Sequence, residues 1–243
     1  MRLVSYNIHK GIGGSDRRYR LDRIVDVLRD LDADLLCLQE VTIDLPRTGR
    51  HDQATLLSEQ FAPMEPAFQQ NVHWRVGGYG NLVLSRWPLR ERHRIALRFE
   101  AKKPRGAQLL VVETPHGPLR FTNWHLGLSE AERHWQTRHL LAHPTFAATD
   151  AHPTLLCGDS NDWRNTLGKD VLQPRGFMQA TSPPGRFRSF PAALPVLALD
   201  KVFHCERVVV DATHLVRTKA ARQASDHLPL VIDFRLRGAA HGS

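Results

Sequence analysis

Residues 155–163, LLCGDSNDW, carry the strongest single indication of how this chain folds. A short apolar run ends at a glycine and is followed at once by Asp159, Asn161 and Asp162. Gly, Asp, Asn and Ser are the commonest turn formers, so an ordinary turn is one interpretation. The other is a catalytic edge, where polar groups project from the end of a rigid strand. The other strand ends of the chain decide between these interpretations.

Composition narrows the class of protein without identifying it. With 42% hydrophobic and 24% charged residues, the 243-residue chain can form a sizeable core. We expect neither a membrane span, which needs roughly 20 apolar residues, nor a signal peptide. The single cysteines Cys37, Cys157 and Cys205 suit buried thiols in a reducing compartment, so we expect a cytoplasmic protein, as a monomer. A net charge of +8 favours anionic partners: nucleic acid, phosphorylated metabolites or anionic lipid.

Hydrophobic periodicity predicts a single α/β domain over residues 1–236, with helices outside many strands. The tail at 237–243 is predicted to be frayed. Helices are expected from about Leu21, over 53–61, and from a capping box at Ser129 and Glu132 to Pro144. Strands are expected at 2–8, 33–41, 80–86, 107–113, 118–124, 153–162, 197–205, 207–214 and 228–236.

Six elements end or begin with side chains that bind metals or transfer protons, which is more than turn chemistry requires. Residues i and i+2 of a strand share a face, so Asn7 with His9, and Asp159 with Asn161, can converge. The full set is Asn7, His9, Glu40, Asn123, His125, Asp159, Asn161, Asp200, Asp226 and His227.

Such a set suits phosphoryl transfer on a diester. Oxygen ligands such as Glu40, Asp226 and the Asn amides fit Mg²⁺ or Mn²⁺. Histidine with a carboxylate can activate water. Zinc is disfavoured, because there is no His-Glu-x-x-His and no paired-cysteine spacing. His139 and His143 are interpreted as helix-face residues.

The order of these motifs resembles the endonuclease/exonuclease/phosphatase superfamily, which includes DNase I-like nucleases, abasic-site endonucleases and neutral sphingomyelinases. The similarity covers about residues 2 to 236. It rests on YNIHKG, LQEV, YGNLVLSR, NWHLGL, GDSN, LDKVF and SDHLPL. It implies a four-layered α/β sandwich, in which two packed mixed β-sheets are flanked by helices. The implied activity is that of a Mg²⁺- or Mn²⁺-dependent phosphoric ester hydrolase.

The resemblance also implies roles for single residues. Asn7 and Glu40 would hold the metal, with Asp226 as a further ligand. Asp159 would position or deprotonate the attacking water. Asn161 would orient that water or the phosphate.

The remaining implied roles concern the phosphate. His227 would contact the scissile phosphate or act as base, with Asp200 hydrogen-bonded behind it. His125 would stabilise the phosphate or protonate the leaving group.

Four further residues are candidates for substrate binding, with ordinary structural roles equally open: His9, Lys10, Arg105 and Asn123. In particular, Arg105 and its neighbours Lys102 and Lys103 suit either a phosphate-binding loop or a solvated basic loop.

Two departures from the family pattern matter. Ser160 stands where the family has a bulky apolar residue; strand alternation points it away from the active face, which predicts a packing change. YNIHKG is similar to a little-characterised bacterial branch of small hydrolases. The substrate therefore stays open between nucleic acid, which we favour, and a phospholipid or small phosphoester. A non-catalytic binding module is the other alternative. Trp124 and Trp163 are interpreted as core or rim packing.

Overall fold

Twelve strands form two mixed sheets of six strands each in a computed structural model that describes residues 1–149 and 151–237. Together with the flanking helices, this confirms the expected four-layered sandwich. The strands are β1 (Arg2–Asn7), β2 (Leu35–Ile43), β3 (Glu65–His73), β4 (Gly78–Ser85), β5 (Leu89–Ala96), β6 (Gly106–Thr114), β7 (Gly117–His125), β8 (Thr154–Asp159), β9 (Met178–Gln179), β10 (Asp200–His204), β11 (Val208–Leu215) and β12 (Leu230–Leu236).

Each sheet is built around one parallel pair of strands. The first sheet has the order β11-β12-β1-β2-β4-β3, and the second has β5-β6-β7-β8-β10-β9. The pairs β1/β2 and β7/β8 are parallel, and the other neighbours are antiparallel. Parallel neighbours need a crossover connection, which here contains a helix in both cases. As a result, β1, β2, β7 and β8 all end at one edge of the sandwich.

Helices cover the outer faces of both sheets. They are α1 (Leu21–Arg29), α2 (Gln53–Gln60), α3 (Glu130–Leu141), α4 (Pro144–Ala148) and α5 (Lys219–Ala224). The first two begin where the sequence predicted. The Ser129 hydroxyl accepts a hydrogen bond from the Glu132 amide at 3.3 Å, which confirms the predicted cap of α3. Within the described residues, no helix is long and apolar enough to cross a membrane.

Two apolar layers hold the sandwich together. Between the sheets, Cys37 of β2 packs with Phe121 and Cys157 of the second sheet. Outside the second sheet, Trp124 and Phe203 pack against α3 and α4. Trp124 is fully buried, as the core-packing interpretation predicted.

A network of amides crosses the sheet interface where apolar packing would be expected. Asn123 is fully buried and accepts from Gln39 Nε2 at 2.7 Å. Its own Nδ2 donates to the Leu38 carbonyl and to Gln108 Oε1, both at 3.1 Å. The Asn123 side chain is therefore committed to joining the sheets, and it does not face the edge where the candidate catalytic groups lie. Substrate binding by Asn123 does not fit these contacts, because its amide has no free face.

The structure also differs from the sequence expectations at β3 and β5, which periodicity missed. Each of these strands pairs with a single neighbour. In both sequences, polar residues interrupt the alternation of apolar and polar side chains that marks a strand. The amide of Arg237 donates to the Arg207 carbonyl at 2.9 Å, and the rest of the predicted frayed tail, 238–243, lies outside the described residues.

We expect Asn123→Ala to lower the free energy of unfolding by about 2–4 kcal/mol, because buried amides and carbonyls would lose their partners. Urea unfolding measures the effect. The matched control is Gln173→Ala, whose side chain is exposed. Equal unfolding midpoints for the two variants would contradict a structural role for Asn123.

Candidate active site

The edge shared by the ends of β1, β2, β7 and β8 carries a cluster of buried polar groups. Its centre is Asp159, the last residue of β8, which is 2% exposed. One carboxylate oxygen, Oδ2, accepts from Asn7 Nδ2 at 3.0 Å. It also lies 3.4 Å from His125 Nε2 and 3.7 Å from His227 Nε2. Three nitrogens from three elements thus converge on one oxygen atom.

The second oxygen of Asp159 fixes the following turn. Oδ1 accepts from the Asn161 amide at 3.0 Å. The Asn161 side chain donates to the Leu126 carbonyl at 3.0 Å, which ties the turn to the loop after β7. Asn161 adopts a positive φ of 50°, in the left-handed region that Asn enters more readily than most non-glycine residues.

His227 is held from behind by a buried carboxylate. Its Nδ1 lies 2.8 Å from Asp200 Oδ2, and the Ser189 hydroxyl donates to the same oxygen at 2.5 Å. The amide of His227 donates to Ser225 Oγ at 3.3 Å, and that hydroxyl donates to the Asn7 carbonyl at 2.7 Å. The imidazole therefore points its Nε2 toward the centre of the cluster.

Burial and neighbouring charges separate the pKa values in this cluster. Burial raises the pKa of Asp159 to about 6, against the opposing influence of the His227 charge. Burial also disfavours the charged form of His227, but Asp200 and Asp159 outweigh it and raise the pKa of His227 to about 10. The cluster therefore pairs an imidazolium with a carboxylate that can take up a proton near neutral pH.

His125 has the opposite character. Burial, followed by the nearby Arg105 guanidinium, places its pKa well below the usual value, so the imidazole is neutral. Arg105 is 8% exposed, and its Nε has no hydrogen-bond partner in the described part of the chain. An unpaired buried donor beside the cluster is a ready binding group for an anionic oxygen.

Glu40 reaches the cluster through a β-bulge. The register between β2 and β4 shifts between Gln39 and Val41, and Glu40 takes a positive φ of 59°. A bulge re-aims the side chain at a strand end. Lys10 forms an ion pair with Glu40. Burial opposes ionisation of Glu40, but the Lys10 ammonium outweighs it and lowers the pKa of Glu40.

The residues expected to bind a metal offer only oxygen ligands, which suits a hard cation such as Mg²⁺ or Mn²⁺. Glu40 and Asp226 keep partly accessible carboxylates, with side chains 16% and 22% exposed. Asn7 presents its amide oxygen to the His9 amide at 3.0 Å, and His9 Nε2 lies 3.6 Å from Asp226 Oδ2. Among the described residues, no group of three or more His, Cys, Asp or Glu side chains is arranged as a metal site. A cation held here would therefore need the Asn7 amide oxygen as well as the two acids.

Three residues that surround the candidate site were not predicted from the sequence: Tyr79, Ser189 and Ser225. The ammonium groups of Lys10 and Lys103 each lie 5.1 Å from the centroid of the Tyr79 ring. The motif YGNLVLSR marked this segment as part of the family resemblance, but it did not indicate a role for Tyr79. Ser225 opens the SDHLPL motif but was given no role, and Ser189 had no signal, because a lone serine in a loop is ordinary.

A second buried charge cluster anchors the turn from the opposite side of β8. Asp162 accepts from the Leu167 amide at 3.0 Å and lies 3.6 Å from both Arg133 and Lys201 nitrogens. Ser160 accepts from Trp124 Nε1 at 3.2 Å, so its side chain faces the helical layer, as strand alternation predicted. The turn is therefore braced on one side while Asp159 and Asn161 occupy the other.

The remaining candidates have ordinary surroundings. Trp163 is exposed, with the Arg164 guanidinium 4.7 Å from its ring centroid, and it forms part of the rim. The His139 ring stacks on Trp135 at 4.7 Å, on the exposed face of α3. Lys102 and Lys103 are exposed.

Paired mixed sheets that bring their central strand ends to one polar edge define the DNase I-like class of fold. The chain belongs to the Endonuclease/Exonuclease/phosphatase family, whose sequence profile matches residues 4–227. Proteins of this superfamily are phosphoric ester hydrolases.

Individual relatives span the whole fold. The chain is 28% identical to the uncharacterised protein YbhP of Escherichia coli strain K12, covering 97% of this chain and 96% of YbhP. A Beutenbergia cavernae endonuclease/exonuclease/phosphatase superposes with a TM-score of 0.84 and 24% identity, covering 99% of this chain and 72% of that one. A mannosyl-6-phosphatase of Bacteroides thetaiotaomicron superposes with a TM-score of 0.76 and 15% sequence identity. The superposition covers 97% of this chain and 100% of the mannosyl-6-phosphatase.

Burial lowers the pKa of Lys201 to about 8, against the favourable charge of Asp162. The unfolded chain keeps this proton up to the ordinary lysine value, so above pH 8 it binds more protons than the native state. The contribution of Lys201 to the free energy of unfolding therefore increases as the pH rises above about 8.

Relative to Lys201→Met, we expect the wild-type protein to gain about 2 kcal/mol in free energy of unfolding between pH 7.5 and 9.5. Urea unfolding at each pH measures the difference. Lys169→Met, at an exposed position, is the matched control and should show no such trend. If the difference in free energy of unfolding between wild type and Lys201→Met did not change with pH, Lys201 would have the same pKa in the folded and unfolded states.

Proposed function

We propose that the protein is a divalent-metal-dependent phosphodiesterase. The observation that carries the proposal is the convergence of Asn7, His125 and His227 nitrogens on Asp159 Oδ2, with Asp200 behind His227. A carboxylate with a pKa of about 6 next to an imidazolium offers a proton acceptor and a fixed positive charge in one site.

In the proposed reaction, water attacks phosphorus and the bond from phosphorus to the leaving oxygen breaks. Asp159 positions the water and takes its proton, while Asn161 fixes the turn that presents Asp159. His227, held by Asp200, stabilises the charge that develops on the phosphoryl oxygens. Solvent water protonates the leaving oxygen and Asp159 returns its proton to solvent, so the products are a phosphomonoester and an alcohol.

Binding roles complete the proposal. Asn7, Glu40 and Asp226 would hold the cation, which would supply positive charge against that of the phosphate. Arg105 and Lys10 would bind the non-reacting phosphate oxygens, and neutral His125 would hydrogen-bond near the leaving group. His9 acts on the cation site through its contact with Asp226.

Nucleic acid is the first substrate class to test, because the net charge of +8 favours polyanions. A phosphomonoester is the alternative suggested by the name of the mannosyl-6-phosphatase that shares the fold. The proposed compartment is the reducing cytoplasm, because all three cysteines are free.

We expect the protein to nick supercoiled plasmid in the presence of Mg²⁺ or Mn²⁺, and we expect EDTA to abolish the nicking. His227→Ala should lower the rate by about 10²–10⁴-fold, because it removes the imidazolium from the phosphate site. His139→Ala, a surface histidine on α3, should leave the rate unchanged.

Hydrolysis of bis-p-nitrophenyl phosphate runs beside the plasmid assay and detects diester cleavage without nucleic acid. Cleavage of neither substrate by folded protein would contradict the proposed activity. Cleavage that survives His227→Ala would contradict the mechanism.

We expect Glu40→Gln to weaken Mn²⁺ binding by about tenfold or more, since the cation site loses a charged ligand. Titration calorimetry or the spin resonance of free Mn²⁺ measures this without catalysis. The control is Glu59→Gln, on the exposed face of α2. Equal Mn²⁺ affinity in both variants would remove Glu40 from the cation site.

A further inference from the structure

Exposed apolar side chains are unevenly distributed over the molecule. Eight large apolar side chains are exposed in the described residues, and two lie away from the catalytic edge, Trp135 on α3 and Met178 on β9. The other six lie on loops at the catalytic edge and form what we term the apolar rim: Trp74, Val76, Leu128, Trp163, Leu194 and Val196.

Strand register places these loops around the site. The β3–β4 turn, with Trp74 and Val76, lies beside the end of β2, because Ile43 pairs with Gly78. The same two residues line a cleft of about 580 Å³ together with Lys10. Trp74 also packs against Tyr79, at 5.3 Å between ring centroids.

The other three loops contact site residues directly. The loop of Leu128 begins at Leu126, whose carbonyl accepts from Asn161. Trp163 follows Asn161 by two residues. The loop of Leu194 and Val196 packs Phe190 against His227, with 5.0 Å between ring centroids, and its Ala192 amide donates to the Asp226 carbonyl at 2.7 Å.

Exposed cations alternate with the apolar rim. Arg75 stands between Trp74 and Val76, and Arg164 lies over the Trp163 ring. Arg47 and Lys103 line the cleft beside Trp74. Apolar groups flanked by cations suit a surface that offers both anionic phosphates and hydrocarbon.

We propose that the apolar rim docks the catalytic edge onto an anionic lipid surface. Four of its six side chains are aliphatic, and Leu194 and Leu128 are the most exposed at 74% and 71%. Aliphatic side chains have no π-face on which a base could stack, whereas the acyl boundary of a bilayer buries them. Resting on the proposed function, docking adds a phospholipid headgroup diester to the substrate classes that this site can reach.

Vesicle flotation tests the docking without catalysis. The wild-type protein in EDTA is mixed with phosphatidylcholine vesicles that contain about 30% phosphatidylglycerol, or none. We expect binding to the anionic vesicles and much weaker binding to the neutral ones. The double variant Leu128→Ser/Leu194→Ser should bind the anionic vesicles about tenfold less or weaker.

Met178→Ser is the matched control, because it removes an exposed apolar side chain away from the edge, and it should bind like wild type. Thermal unfolding confirms that all variants are folded. Absence of vesicle binding, equal loss in Met178→Ser, or rim-dependent binding to an oligonucleotide instead of vesicles would overturn the docking proposal.

Failure of docking and failure of the proposed function give different results. Wild-type cleavage of bis-p-nitrophenyl phosphate without vesicle binding would leave the phosphodiesterase and remove the lipid surface. Vesicle binding without cleavage of any diester would leave the docking surface and remove the proposed activity.

Discussion

The hydrogen bond from Asn7 to Asp159 is the contact on which the arrangement of the site depends, because it joins the end of β1 in one sheet to the end of β8 in the other. A carboxylate with almost no exposure needs partners on every side. Asn7 and His125 can reach Asp159 only if the central strands β1, β2, β7 and β8 end at the same level. The two helical crossovers, the Glu40 bulge and the Asn161 turn can each be understood as meeting that requirement.

Much of this could be predicted from the sequence, because buried central strands leave a strong signal. An apolar run that stops at Asp159 or Glu40 marks both the strand and its end, and the parallel pairing of these strands brings their ends together. The four-layered sandwich was implied by the family resemblance, and the two six-stranded sheets confirm it. The family resemblance, not the strand pattern, implied that Asp200 lies behind His227, and the structure brings the two side chains within 2.8 Å, whereas the catalytic roles stay proposals.

What could not be predicted depends on contacts between distant segments. Strands β3 and β5 lie at sheet edges and carry too little hydrophobic pattern to be recognised. Asn123 shares a motif and a strand face with His125, but it lies two residues further inside the sandwich, where its amide joins Gln39 and Gln108. Tyr79 gains its surroundings only after Lys10 and Lys103 approach from separate loops.

The left-handed backbone of His9, Lys10, Glu40 and Asn161 has a consequence for how this protein can change. Each such residue costs about 1 kcal/mol or more relative to glycine, which adopts the conformation freely. Glycine there would relieve strain while deleting a site side chain. At these four positions a change to glycine therefore exchanges backbone strain for lost side-chain contacts, among them the Lys10–Glu40 ion pair and the hydrogen bond from Asn161 to the Leu126 carbonyl, so the strained backbone and the proposed chemistry can only be lost together.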